Sequence, residues 1–199
     1  MKAVSVSVLG ALALGLALAP APARAVSLSL SPALITASGS SFSVDLVIAG
    51  LGAAGAPSVG AFDVDVAFDP GFLSFGGASF GAALGSIPGD ALTSVLSSAG
   101  LVDLAELSLL LPPQLDALQP ADSFALATLS FNVLPSSLGA TALSFGSSLI
   151  SDAFGRALVV ESATGASVAL APAIPEPSAF LVFAVGLAAL SRGSWRDPR

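Results

Sequence analysis

Apolar and polar residues alternate with a period of two along much of the middle of this 199-residue chain. Val26, Leu28 and Leu30 are interleaved with Ser27, Ser29 and Ser31. Phe42, Val44, Leu46 and Ile48 are interleaved with Ser43, Asp45 and Val47, and Phe62, Val64, Val66 and Phe68 with Asp63, Asp65, Ala67 and Asp69. Successive side chains of a strand point to opposite faces, so these stretches predict strands with one dry and one wet face. Residues 124–134 are apolar on both sides, with Leu129, Phe131 and Val133 on one face and Phe124 and Leu126 on the other, which predicts a central strand. Thr141, Leu143 and Phe145 predict a further strand, and residues 158–160 and 167–170 closing strands. Turn-forming clusters separate them, including Asp69-Pro70-Gly71, Pro88-Gly89-Asp90, Pro112-Pro113 and residues 152–155. No segment has a convincing helical period, and residues 91–99 read as a helical turn or a loop. The pattern predicts an all-β, two-sheet sandwich.

Composition removes several chemistries. The chain has no Cys and no His, so disulfides, thiolate or imidazole catalysis and His/Cys metal sites are excluded. A Ser-His-Asp triad is impossible, and a Ser-Lys variant fails because the only Lys is Lys2. No phosphate-cradling glycine loop is present, and no cofactor is expected. Between Asp45 and Glu161 stand 11 acids against a single base, Arg156, a net charge of −10. Such a surface repels nucleic acid and anionic membrane and favours cations or basic partners.

Two acidic groups are candidate sites. Asp63 and Asp65 share a strand face about 7 Å apart by strand rise, and with Asp69 they are the sharpest cation candidate, because Ca²⁺ takes several carboxylate oxygens. Their spacing departs from the EF-hand loop, and the simpler reading is a solvated face with Asp69 capping the Asp-Pro turn. Asp103 and Glu106 are the residue types of a glycoside-hydrolase pair, but the folded middle has no Trp or Tyr to make a sugar platform. No catalytic residue is assigned, and the protein is expected not to be an enzyme. The Phe residues read as core by alternation, with Phe72, Phe75 and Phe80 as a cluster after the Asp-Pro turn.

The two ends read as an address. Lys2 precedes an apolar run, Pro20 and Pro22 interrupt it, and Ala23-Arg24-Ala25 fits a small-x-small cleavage site. Residues 1–25 are thus expected to be a signal peptide cut after Ala25; an uncleaved anchor is the alternative. At the other end, Ile174-Pro175-Glu176-Pro177-Ser178 precedes an apolar run over residues 179–190, and Arg192, Arg196 and Arg199 follow. Twelve apolar residues fall short of the roughly 17 to 25 of a full span. The arginines favour the cytoplasmic side, with the body outside.

This tail resembles the PEP-CTERM sorting signal of Gram-negative bacteria. The resemblance implies a partner, an exosortase-type membrane transpeptidase, that processes the chain near Pro175, Glu176, Pro177 and Ser178. It also implies a route from an inner-membrane-anchored intermediate, held by a C-terminal hydrophobic sorting helix, to the cell surface or extracellular matrix. A proline linker to an ordinary tail anchor is the alternative.

The middle also resembles a known module. Residues 59–75, where an alternating strand ends in Phe68-Asp69-Pro70 and Leu73 follows, are similar to a cohesin pattern. Ala127-Thr128-Leu129-Ser130-Phe131 is similar to the family's later strand, and residues 145–158, with Asp152 and Gly155, to the hairpin after it. The resemblance implies a jelly-roll sandwich of about nine strands, related to carbohydrate-binding modules. The expected organisation is a signal peptide over 1–25, a cohesin-like domain over 26–172 and a sorting tail over 173–199. The expected function is non-catalytic adhesion or docking to a surface or matrix protein; the alternative is exopolysaccharide binding.

Overall fold

The computed structural model describes residues 25–37, 41–51, 58–86, 88–135 and 139–170. The apolar N-terminal run, Ala23, and the tail with Pro175, Glu176, Pro177, Ser178, Arg192, Arg196 and Arg199 lie outside the described residues. Among the described residues, no helix is long and apolar enough to cross a membrane.

Among the described residues eleven strands form: β1 (Ala25–Ser31), β2 (Leu34–Ala37), β3 (Ser41–Ala49), β4 (Val59–Ala67), β5 (Leu73–Phe80), β6 (Ala91–Ser98), β7 (Leu101–Ser108), β8 (Ser123–Val133), β9 (Gly139–Asp152), β10 (Ala157–Thr164) and β11 (Ala166–Leu170). One helix, α1 (Pro112–Leu118), lies between β7 and β8. The alternating stretches bury their expected faces: Val26, Leu28 and Leu30 in β1, Val44, Leu46 and Ile48 in β3, and Phe62, Val64 and Val66 in β4 are all buried.

The strands follow one another in the order β5-β8-β3-β1-β10-β9-β4-β7-β6, and β11 joins β2 to the first half of β9. This path folds over on itself, so β5-β8-β3-β1 faces β9-β4-β7-β6 across a single core. Phe131 of β8 is the hub. Its ring meets Phe68, at the end of β4, edge-on with centroids 5.4 Å apart, and also meets Phe42 and Phe75. Phe62 of β4 and Phe80 of β5 make a second contact across the sandwich, at 6.1 Å. Phe75 and Phe80 therefore pack against the core, and Phe72 joins them there.

Three expectations are corrected. Residues 91–98 are a strand, not a helical turn or loop. Pro112-Pro113 opens a helix instead of making a turn; proline fits the first helical positions because its φ is already helical and its missing N–H would be unsatisfied there anyway. Phe124 and Leu126 do not face away from Leu129 and Phe131. Ala127 pairs with Leu46 and Ala125 with Val47, which leaves Leu126 as the extra residue of a β-bulge. The bulge changes the strand's parity, so all four side chains enter the same core.

Bulges shape the second sheet as well. Val59 pairs with Asp152 and Ala61 with Ser151, so Gly60 is extra in β4. Asp65 faces two residues of β9, Gly146 and Ser147, between the pairs Val64–Ser148 and Val66–Phe145. Beyond β9, the turn into β10 is tied by Asp152, whose Oδ1 accepts from the Phe154 and Arg156 amides at 2.8 and 2.9 Å. Gly155, with φ of +75°, completes it.

Candidate functional site

The two outer faces of the sandwich differ in chemistry. On the β8-β3-β1 side, outward positions carry hydroxyls and amides. Ser43 and Ser130 are hydrogen-bonded at 3.0 Å, and the Thr128 hydroxyl donates to Asp45 at 2.6 Å.

The outward positions of β6, β7, β4 and β9 make an ordered lattice. Leu92, Leu107, Ala61 and Ser151 form one row across the four strands. Ser94, Ala105, Asp63 and Leu149 form the next, and Leu96, Asp103 and Asp65 the third. Leu101 pairs with Ala67 in the fourth. Leu92, Leu96 and Leu149 are about 60% exposed, and Leu101 and Leu107 are exposed too. The short side chains of Ala61 and Ala105 floor a trough of about 370 Å³, walled by Leu92, Leu107 and Leu149 and edged by Asp63, Ser94 and Ser151. Scattered surface leucines are ordinary, but several on one sheet face around a concavity mark an interaction surface.

Three carboxylates cross this apolar face. Asp65 and Asp103 are directly opposed on β4 and β7, and Asp63 lies one row away. Partial burial raises the Asp103 carboxyl above its ordinary 3.8, and the charges of Asp63 and Asp65 raise it further. The face therefore holds concentrated negative charge in partly dry surroundings, where an approaching cationic group gains more than it would in water.

Each acid singled out by the sequence has a definite place. Asp63 and Asp65 share the outer face, as the alternation predicts. Asp69 does not join them: its Oδ1 accepts from the Gly71 amide at 2.8 Å, and its carbonyl accepts from the Phe72 and Leu73 amides, which closes the Asp-Pro turn. Among the described residues, no group of three or more acids is arranged to hold a metal ion. Asp103 and Glu106 are three apart on one strand, so they lie on opposite faces. Glu106 points into the core, only 2% exposed, and neither carboxylate oxygen has a hydrogen-bond partner. Burial pushes its carboxyl up to about 7. The two carboxylates share no cleft, and the arrangement has no acid–base pair for glycoside hydrolysis. Ala25, the residue before the expected signal cleavage, opens β1 opposite Val159.

The leucine face went unread in the sequence. Its signal was a second alternating set in β7, Leu101, Asp103, Ala105 and Leu107, beside the buried Val102 and Leu104.

No protein-family model and no curated protein matches the chain. Solved structures do. The chain is similar to the sixth cohesin of scaffoldin B from Acetivibrio cellulolyticus, solved in complex with a Cel5 dockerin mutant, at 20% identity and a TM-score of 0.57 over 74% of this chain and 99% of that one. It is similar to a type II cohesin domain from the cellulosome of the same organism, at 14% identity and a TM-score of 0.58 over 72% of this chain and 95% of that one. A non-cellulosomal cohesin from the archaeon Archaeoglobus fulgidus matches at 14% identity and a TM-score of 0.53 over 79% of this chain and 96% of that one. The described domain thus has the fold of the cohesin domains, a β-sandwich.

Proposed function

We propose that the protein is an exported, non-catalytic docking module whose β6-β7-β4-β9 face binds a protein. The observation that carries this is the lattice of exposed leucines around the Ala61–Ala105 trough, crossed by Asp63, Asp65 and Asp103. Its chemistry calls for a partner segment with an apolar side chain to fill the trough and Lys or Arg to meet the carboxylates. The likeness to cohesins supports the reading, since one of those structures holds a dockerin. Polysaccharide binding is the weaker alternative, because sugar rings stack best on Trp and Tyr, the chain has no Tyr and its one Trp lies in the tail.

The address is part of the same proposal. A signal peptide over residues 1–25 exports the chain. The tail over 173–199 holds it at the inner membrane by its apolar run over 179–190 and the arginines Arg192, Arg196 and Arg199. An exosortase-type transpeptidase processes it near Pro175-Glu176-Pro177-Ser178, and the domain over 26–172 works at the cell surface or in the matrix.

The test is capture from a matrix fraction by the full chain, compared with Leu107→Asp and Leu149→Asp. Retention that is lost in both variants, falls with salt and is abolished by protease treatment of the fraction fits protein docking. Retention that survives protease but not polysaccharide digestion would sink it in favour of sugar binding.

A further inference from the structure

Strand β6 is a sheet edge without guards. It reads Ala91-Leu92-Thr93-Ser94-Val95-Leu96-Ser97-Ser98, with no charge, no proline and no glycine. It pairs with β7 in unbroken register over all eight residues, so no bulge turns its outer edge away. Every residue except Ala91 is exposed. Among the described residues no strand pairs with its other side. Monomers normally blunt such an edge with lysine, proline, a bulge or a covering loop, because its unpaired N–H and C=O groups template another strand.

We propose that β6 pairs antiparallel with β6 of a second copy of this chain, about a two-fold axis through Ser94, so that one sheet runs through two sandwiches. The register follows from the sequence. With the axis at Ser94, Leu92 of each copy stands opposite Leu96 of the other, and Thr93 opposite Val95. Directly opposed residues of antiparallel strands share a face and stabilise each other when both are apolar or β-branched. Moving the axis half a step opposes Leu92 to Ser97 and brings outward residues against inward ones, which breaks the continuous face. Moving it a full step, to Val95, opposes Leu92 to Ser98 and loses both leucine pairs.

Charge favours the same occupant. A domain of net −10 repels its own copy almost everywhere, but the eight residues of β6 carry no charge; Asp90, just before the strand, accepts at its carboxylate from the Ser86 amide at 3.4 Å, and Asp103 lies one strand back on β7. A foreign cationic peptide finds no carboxylate within this strand, whereas a second copy meets matching apolar groups. The seam is about 27 Å long by strand rise, which is small for an interface and gives a concentration-dependent dimer. The β6 edge borders the trough and shares Leu92 and Ser94 with it, but the pairing uses the strand's free backbone edge and the crosslink below reads that pairing alone, so the proposal does not rest on the docking reading.

The chain has no cysteine, which makes the test clean. Ser94→Cys and Ser98→Cys are expressed as full chains in the native host and oxidised with copper–phenanthroline before non-reducing electrophoresis. At the axis, opposed Cα atoms lie about 4.5–5.5 Å apart, within disulfide reach. A reducible band at twice the chain mass is expected for Ser94→Cys, at least tenfold stronger than for Ser98→Cys, whose two sulfurs are eight positions apart. Adding Leu96→Lys to Ser94→Cys removes the leucine pairs, adds charge to the seam and should cut the band at least tenfold. No band for Ser94→Cys, equal bands at both positions, or a band at the mass of a complex with another protein would overturn the proposal.

Discussion

Asp65 and Asp103 stand directly opposite one another across the β4–β7 ladder, like charges facing the same side of one sheet. Such a pair destabilises the fold, so its presence on an otherwise apolar face is paid for by something other than folding.

Asp103→Asn should stabilise the domain at neutral pH by about 0.2–1 kcal/mol, seen as a rise of a few degrees in thermal midpoint. The raised pKa of Asp103 fixes the sign of the pH dependence. The folded state holds the proton more tightly than the unfolded chain, so the stabilisation from substitution fades as pH falls through the raised value and is gone below the ordinary 3.8. The same substitution should weaken capture of a basic partner. A thermal midpoint unchanged across this pH range would mean that the pair is fully screened.

Glu106 sets a second pH dependence. Its carboxyl titrates near 7 in the folded state and at 4.5 in an unperturbed chain, so the native state binds the extra proton between those values. The stability that Glu106 contributes is greatest below about 4.5 and declines as pH rises towards 7, then levels off. Glu106→Leu should flatten that decline and add about 2 kcal/mol at pH 8, measured by urea unfolding at pH 4.5, 6 and 8.

Gln119, at the end of α1, is a buried clamp. Its Oε1 accepts from the Val59 amide at 2.7 Å, and its Nε2 donates to the Val59 and Ala83 carbonyls at 2.8 and 3.0 Å. Gln119→Ala leaves these backbone groups of β4 and the β5–β6 loop unsatisfied and should cost about 3 kcal/mol. Amide hydrogen exchange at Val59 should quicken in step.

Gly60→Ala should be damaging out of proportion to one methyl group. A Cβ there would lie 2.5 Å from the Asp152 carbonyl oxygen and 2.9 Å from the Ala153 Cα, both rigid backbone. The bulge would have to open, at about 1–3 kcal/mol by denaturant titration.

Intact mass by cell fraction tests the address. A species running from Val26 to near Pro175-Glu176-Pro177, found outside the inner membrane, is the expected product. A species that keeps Arg199 in the inner membrane would mean the tail is a plain anchor.

Much of the fold was legible where one face is wet. β1, β3 and β4 announce themselves because serine or aspartate alternates with the core. β6 and β7 did not. Every residue of β6 but Ala91 is exposed, so nothing in it alternates, and β7 is apolar on both sides, because its outward leucines belong to the proposed docking surface. β5 was obscured by Gly76 and Gly77, where a register shift interrupts the period. α1 is seven residues long with two prolines and a single buried residue, too short to show a 3.6-residue period. For the site, Asp63 and Asp65 were visible as a pair, whereas Asp103 reaches them only through long-range pairing of β4 with β7. Glu106 looked like a companion of Asp103 until the strand period placed it on the opposite face.

The strand β11 ends the described chain held on both sides, parallel to β2 and antiparallel to β9, through Leu170 opposite Ala37 and Gly139. A tether pulling beyond Leu170 along the strand axis would load both ladders in shear, so their hydrogen bonds would have to break together and not one after another. For a module that works while attached at its C-terminal side, that is the geometry that resists mechanical extraction.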